Sequence, residues 1–312
     1  MKVLVTGGAG FIGSHVVERL LGLGHAVRVL DNLSTGRRAN LATHARLELV
    51  VGDVRDRAEV DACATGVDAI VHLAAVASVQ ASIDDPVATH ASNFDGTLHV
   101  LEAARERDVR RLLYASSAAV YGDSAELPVA ESATPRPLSP YAADKLAGEH
   151  YLHYYFRKHG LAGTAFRFFN IYGPRQDPSS PYSGVISIFV DRLARGEPVT
   201  LFGDGEQTRD FVYVGDLAAL LCGALTRDGL GGETMNVGTG RQTSLLTLLD
   251  TLEDLAGRRV ERRFAEPRVG DIRHSCADVR RLTQRLDAAP STALGDGLAE
   301  LLGSIGVSAR RR

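Results

Sequence analysis

The stretch SPYAADK places Tyr141 and Lys145 four residues apart. Ser139 suits the N-cap of a helix and Pro140 its first position, so the pair shares one face of the first turns. A free tyrosine ionises near pH ~10, too high for a base at neutrality. A neighbouring ammonium and the positive helix N-terminus both favour the phenolate. Together they can make a general base for a hydroxyl being oxidised. Upstream, YASSAAVYG offers Ser116 and Ser117, then Ala118 and Ala119. Ser117 can share the substrate hydroxyl proton, although either serine can equally be a polar strand-end residue. The two alanines cannot move a proton at all.

A base for oxidation needs an electron acceptor. GGAGFIG spaces glycines at Gly7, Gly10 and Gly13, after an apolar run and before a helical pattern. Such a turn lets the backbone approach a pyrophosphate seated at the helix N-terminus. The second apolar run ends in Asp31, eighteen residues after Gly13. A carboxylate there accepts hydrogen bonds from adenosine ribose hydroxyls and repels a 2′-phosphate, favouring NAD over NADP. Arg37 and Arg38 lie just beyond and pull the other way. Asp53 follows the third run, where it can be an adenine contact or a turn residue that ends the strand. Lys145 is placed to hold the nicotinamide ribose.

These residues need a scaffold. Apolar runs at 2–7, 26–31, 47–53, 69–75 and 110–117 lack polar alternation, as strands covered on both faces do. Helical patterns at Phe11–Leu23 and Val87–Arg107 lie between some of them. The expected fold is α/β, a Rossmann-type doubly wound parallel sheet. After Asn170 the character changes. A Gly/Pro-rich loop (172–184), a helix (185–195), strands at 199–203 and 208–214, and a helix from Leu245 to Leu255 imply a smaller α/β lobe. DLAALLCGALT and ETMNVG form a helix–strand unit that can return to the main sheet. The expected division is 1–169 plus 215–240 against 170–214 plus 241–312.

The 312 residues carry a net charge of −3, which disfavours a nucleic-acid surface. No apolar run approaches the ~18 residues of a membrane span. MKVLVTGGAG reads as a buried strand rather than a signal peptide. Cys63, Cys222 and Cys276 have no metal spacing and suit reduced thiols in a cytoplasmic protein; no metal is expected. ARRR at 309–312 reads as a frayed end.

TGGAGFIG, GDVRD, HLAA, SSAAVYG, SPYAADK, RFFNIYGPRQ and RDFVYVGD occur in an order that resembles the extended short-chain dehydrogenases/reductases, the NAD-dependent epimerase/dehydratase enzymes of nucleotide sugars. The resemblance implies NAD in the first domain and a nucleoside-diphosphate sugar against the second. It makes Ser117, Tyr141 and Lys145 catalytic. Around NAD it adds Phe11, Ile12, Asn32, Val54, Leu73, Ala74 and Ala75, with Asn93, Ser116 and Phe168. On the substrate it implies Asn170 at the diphosphate, Arg209 and Arg268 clamping phosphates, and Asp271 at the uridine ribose. Val79, Val185, Thr200 and Phe202 complete that site. Arg209 can instead pair with Asp210 or Asp216. Members usually dimerise through a four-helix bundle, here near 87–107 and 141–158. Leu98, Leu101, Leu152 and Tyr155 are either its apolar face or ordinary core.

The resemblance also ranks the reactions. Dehydratases carry an acid–base pair directly after the Ser/Thr, and UDP-glucuronate decarboxylases a Glu two positions after the Ser. Ala118 and Ala119 disfavour both. A 4-epimerase needs neither: hydride leaves C4, the keto sugar turns over, and hydride returns to the other face. The expectation is therefore a UDP-hexose 4-epimerase. Ser275 falls where galactose-restricted enzymes can carry a tyrosine against the C2 substituent, so N-acetylated hexoses should also fit. Other expectations are an epimerase of UDP-glucuronate, a 4-keto-sugar reductase, or a catalytically silent NAD(H) sensor.

Overall fold

The computed structural model describes residues 1–177, 184–267 and 272–308. In chain order the elements begin β1 (Lys2–Thr6), α1 (Phe11–Gly22), β2 (Ala26–Asp31), β3 (Leu47–Val51), α2 (Arg57–Ala64) and β4 (Ala69–His72). Next come α3 (Val79–Asp84), α4 (Pro86–His90), α5 (Gly96–Glu106), β5 (Arg111–Ser117), α6 (Pro140–His159), β6 (Ala162–Phe168) and β7 (Asn170–Tyr172). Then follow α7 (Val185–Arg195), β8 (Val199–Phe202), β9 (Thr208–Arg209), β10 (Phe211–Tyr213), α8 (Val214–Thr226) and β11 (Glu233–Val237). The last are β12 (Thr243–Ser244), α9 (Leu245–Ala256), β13 (Arg262–Ala265), α10 (Arg280–Leu286) and α11 (Leu294–Ser304).

Seven parallel strands form the main sheet in the order β11-β6-β5-β4-β1-β2-β3. Alternation along β1 explains why the run is apolar throughout. Val3 and Val5 face a core shared with α1, α8 and α10, whereas Leu4 faces one shared with α2, α5 and α6. The order reverses between β1 and β4, and a crevice opens there at the carboxyl ends of the strands. A separate core, with Phe189, Leu193, Leu248, Leu252, Leu298 and Leu301, holds the smaller lobe.

Four expectations need correction. The stretch 87–107 is not one helix: α4 passes through a π-helical turn at Ala91–Asp95 into α5. There the Asn93 side chain serves Val76, accepting from its N–H at 2.7 Å and donating to its carbonyl at 3.1 Å. The stretch 208–214 is two short strands. They part at Asp210, whose buried carboxylate accepts from the N–H groups of Thr239, Gly240 and Ala277 and from the Thr239 hydroxyl. β6 was not among the expected strands; it follows the long α6 after the left-handed Gly160 and is buried along nearly its whole length. Finally α10, inside the segment expected in the smaller lobe, puts Leu282 into the core under the main sheet.

Candidate active site

β5 delivers Ala115, Ser116 and Ser117 to the crevice, and α6 starts opposite them. The Ser139 hydroxyl caps that helix, accepting from the Ala142 N–H at 3.2 Å, with Pro140 following it as expected. Ser117 and Tyr141 line the same crevice, and the Ser117 hydroxyl beside the phenol favours its ionised form. The Ser117 hydroxyl oxygen accepts from the Ala119 N–H at 3.1 Å, which leaves the hydroxyl proton to be donated toward the phenol. The buried Lys145 ammonium donates to the Ala115 carbonyl at 2.7 Å and lies 5.9 Å from the centre of the Tyr141 ring. Burial brings Lys145 down to about 8, against the pull of Asp144 and Glu149. At Tyr141 burial dominates and raises the phenol, and the Ser117 hydroxyl is what opposes it. The lowering expected from the ammonium and the helix terminus is not among these effects, and desolvation prevails.

The glycine turn is built from close backbone approaches. Gly7 has φ +69°, and a Cβ there would stand 2.8 Å from the Ala74 nitrogen. A Cβ on Gly13 would lie 2.1 Å from the Gly7 carbonyl oxygen. Gly10 caps α1 with no side-chain hydrogen bond, so the leading N–H groups of that helix take no acceptor from a cap side chain. Asp31, at the end of β2, accepts from the N–H groups of Ala9 at 2.9 Å and Leu33 at 2.8 Å, one on each oxygen. Each oxygen keeps capacity for a further donor. Asp53 is held by Arg55 and by the Asn32 amide, and its carboxyl falls to about 2, chiefly through Arg55. It is both a turn anchor and a cleft residue.

One cleft of about 3410 Å³ joins these parts. That exceeds the ~300–1,000 Å³ of a typical small-ligand site and accommodates a dinucleotide beside a second ligand. Gly7, Gly10, Phe11, Ile12 and Gly13 line it, as do Asp31, Asn32, Asp53 and Val54. So do Leu73, Ala74, Ala75, Ser116, Ser117, Tyr141, Lys145, Phe168 and Asn170. The glycine turn, the uncapped helix and the carboxylate at the end of β2 fit NAD. When bound, NAD would rest its pyrophosphate on α1 and its adenosine ribose near Asp31.

Other expected residues stand elsewhere. Asn93 is buried behind the cleft wall, its amide spent on Val76, so it supports the wall and does not line it. Ser116 gives its hydroxyl to Glu149 at 2.5 Å, so only its backbone remains for a cofactor. Val79, Val185, Thr200, Phe202, Arg209 and Ser275 do not line the cleft formed by the described residues. Arg209 and Ser275 are nonetheless neighbours: β9 bridges to His274, and the Ser275 N–H donates to the Thr208 carbonyl at 3.1 Å. The carboxylates of Asp210 and Asp216, proposed partners of Arg209, accept from backbone N–H groups and threonine hydroxyls. Arg268 and Asp271 lie outside the described residues. No metal-binding cluster occurs among the described residues.

Sequence reasoning missed two parts of the cleft. Ser34 and Thr35 line it from the loop after Asp31, and Ser-Thr-Gly after a strand end was their signal. The segment from Pro174 to Asp177 also lines it and lies against the cofactor side. The Pro174 carbonyl bonds His15 at 3.0 Å, Arg175 pairs with Glu18, and Asp177 pairs with Arg37. Arg37 is thereby engaged across the lobes rather than offered only to a 2′-phosphate.

Comparison with known proteins agrees with this geometry. Residues 3–238 match the model of the NAD dependent epimerase/dehydratase family. A UDP-glucose 4-epimerase of Mycolicibacterium smegmatis is 41% identical over 310 residues, covering 96% of this chain and 97% of that protein. A UDP-glucose 4-epimerase of Thermus thermophilus, solved in complex with NAD, superposes with a TM-score of 0.90 at 40% identity, over 98% of this chain and 99% of that one. A UDP-N-acetylglucosamine 4-epimerase of Methanobrevibacter ruminantium, solved with UDP-N-acetylmuramic acid, gives a TM-score of 0.94 at 35% identity over 97% of each chain. The glycine turn beneath α1, the Asp31 carboxylate and the Ser117–Tyr141–Lys145 cluster thus stand in a chain that belongs to the NAD-dependent epimerase/dehydratase family.

Proposed function

We propose that this chain interconverts UDP-hexoses at C4 through a 4-keto sugar, as a UDP-hexose 4-epimerase with tightly held NAD. The observation that carries the reading is the convergence of Ser117, Tyr141 and Lys145 on the cleft while Ala118 and Ala119 follow. Bound there, NAD supplies a two-electron acceptor for the C4 hydrogen and the donor that returns it. Tyr141, ionised as the Lys145 ammonium and a cationic nicotinamide beside it would favour, takes the C4 hydroxyl proton onto its phenolate oxygen as the C–H bond breaks, and gives it back when the carbonyl is reduced. Ser117, oriented by the Ala119 N–H, donates to the reacting oxygen. Lys145 holds positive charge beside the phenolate. With alanines next in the chain, no further acid or base stands at those two positions for elimination, so the productive path left to the keto sugar is to turn over and be reduced from its other face.

The substrate reading assigns the diphosphate to Asn170 and Arg209, with Arg268 as second clamp and Asp271 on the uridine ribose. Val185, Thr200 and Phe202 would reach the sugar nucleotide from the second lobe, and Val79 from the first. Ser275 leaves room for an N-acetyl group, and a related epimerase acts on UDP-N-acetylglucosamine. We read the protein as a cytoplasmic homodimer. Its three cysteines are buried and unpaired, and no helix among the described residues is long and apolar enough to cross a membrane. Leu101, Leu152 and Tyr155 are core, with Leu98 packed against it. The face that supports a dimer is instead Val87, Tyr151 and Tyr154, exposed at 79%, 41% and 53%.

Purified protein incubated with UDP-galactose or UDP-N-acetylgalactosamine should yield the C4 epimer by NMR, with no net consumption of NAD. No inversion across a panel of UDP-, dTDP- and GDP-hexoses would refute the reading. A sensor would show no change in nicotinamide fluorescence on adding UDP-sugar.

A further inference from the structure

Tyr141 and Lys145 have a third partner at the same spacing. Glu149 lies one further turn along α6, so the three share a face. That face meets three consecutive residues of β5. Tyr141 lines the cleft with Ser117, Lys145 donates to the Ala115 carbonyl, and Glu149 accepts from the Ser116 hydroxyl at 2.5 Å. The last distance is in the range of a charge-assisted O–H···O⁻ bond. Arg167 on β6 is paired in register with Ser116 and grips the same carboxylate, Nε to Oε1 at 2.9 Å and Nη2 to Oε2 at 2.7 Å. Both charged side chains are buried, at 5% and 3% exposure. The Arg167 guanidinium also stacks on Tyr121, 4.6 Å from its ring centre, and the Tyr121 hydroxyl donates to Asn236 at 2.6 Å. Tyr121 closes the short helical turn that begins at Ala118.

We infer that Glu149, braced by Arg167, is a positioning residue for the reaction: it staples the ends of β5 and β6 to α6 and so sets the place of Ser117 beside Tyr141 and the seat of Lys145. A buried ion pair is a weak source of stability by itself, because desolvation offsets the attraction. What this pair has in addition is direction. One carboxylate oxygen, itself held by Arg167 Nε, accepts from the Ser116 hydroxyl, and the next residue is the serine that lines the cleft beside the catalytic phenol. The carboxylate is also one of the two negative charges near the Lys145 ammonium. The others around that ammonium are Asp144, itself bonded to His90, and the uncharged Tyr114, Tyr141 and His72, the last held neutral by burial.

The inference rests on the epimerase reading, and the test separates the two. Wild-type protein without C4 inversion overturns that reading; active wild type with unaffected variants overturns only this one. Glu149→Gln keeps the shape and most hydrogen bonds but removes the charge. Ser116→Ala removes a single contact. For both, kcat should fall about tenfold or more, with KM for the UDP-hexose and bound NAD within about twofold of wild type. In Glu149→Gln the alkaline limb of the kcat profile should move to lower pH, because Lys145 loses a negative neighbour, and Glu149→Asp should restore part of both. Loss of stability with unchanged kcat and limb in the folded protein marks a merely structural role and overturns the proposal. If Glu149→Gln does not fold, the apolar pair Glu149→Leu/Arg167→Leu, which leaves no unpaired buried charge, is measured in the same way. Wild-type kcat in that pair and in Ser116→Ala is the refuting result.

Discussion

Gly13→Ala tests the cofactor turn by the smallest available change. The added methyl would stand 2.1 Å from the Gly7 carbonyl oxygen and 2.7 Å from the Gly8 Cα. An ordinary contact begins near 3.4 Å, so the turn and α1 must separate by roughly 1 Å. Both neighbours are backbone, so no rotamer change relieves the clash. Overpacking of this kind costs about 1–3 kcal/mol, and the upper end applies because the chain on each side is tied down. Gly7 bonds the Leu30 carbonyl from one side, and Ala74 closes on it from the other. At roughly 2–4 °C per kcal/mol, the melting temperature should fall by about 5 °C or more. The same displacement moves the N–H groups that face the pyrophosphate, so NAD affinity should fall about a hundredfold beyond what the stability loss explains. Thermal unfolding with and without added NAD, alongside NAD titration of the refolded protein, reads both effects. A variant with wild-type melting temperature and NAD affinity would refute the assignment of this turn.

Tyr141→Phe should lower turnover by about 10²–10⁴-fold with the fold and bound NAD retained, since only the proton carrier is lost; near-normal turnover removes Tyr141 from the mechanism. Lys145, brought to about 8 by burial, is an ammonium below that value and neutral above it. Activity that depends on the charge should therefore decline as pH rises through about 8, and a kcat profile flat to well above that would refute the role. Ser275→Tyr should lose the N-acetylated hexoses while keeping UDP-glucose and UDP-galactose. Equal loss of both pairs, or of neither, removes the gate.

The chemistry-bearing residues were readable because local rules fix them. Gly7, Gly10 and Gly13 answer to backbone sterics, Asp31 to a strand end, and Tyr141 and Lys145 to helical spacing after a Ser-Pro start. The sheet was readable as far as apolar runs mark strands, but β6 escaped because Gly163, Thr164 and Arg167, all buried, interrupt its apolar run. Asn93 was misread as a ligand for a different reason. Its type and position suit the cleft, yet nothing in the local sequence shows that Val76 would claim both ends of its amide. Ser116 does line the cleft, but its hydroxyl goes to Glu149, thirty-three residues away, which the local sequence could not show. Spacing along one element can be read directly, whereas partners chosen across elements require the packed structure.

The segment from Pro174 to Asp177 crosses from the second lobe to the cofactor side and is anchored there by His15, Glu18 and Arg37. A dinucleotide lying in that cleft would have these ties along one flank. Exchange of the cofactor is unnecessary in a cycle that returns every electron it borrows. With such a cycle NAD would stay as a permanent part, insulated from the oxidised-to-reduced ratio of the surrounding pool. Sugar inversion would then run at the same rate in a reducing cell as in an oxidising one.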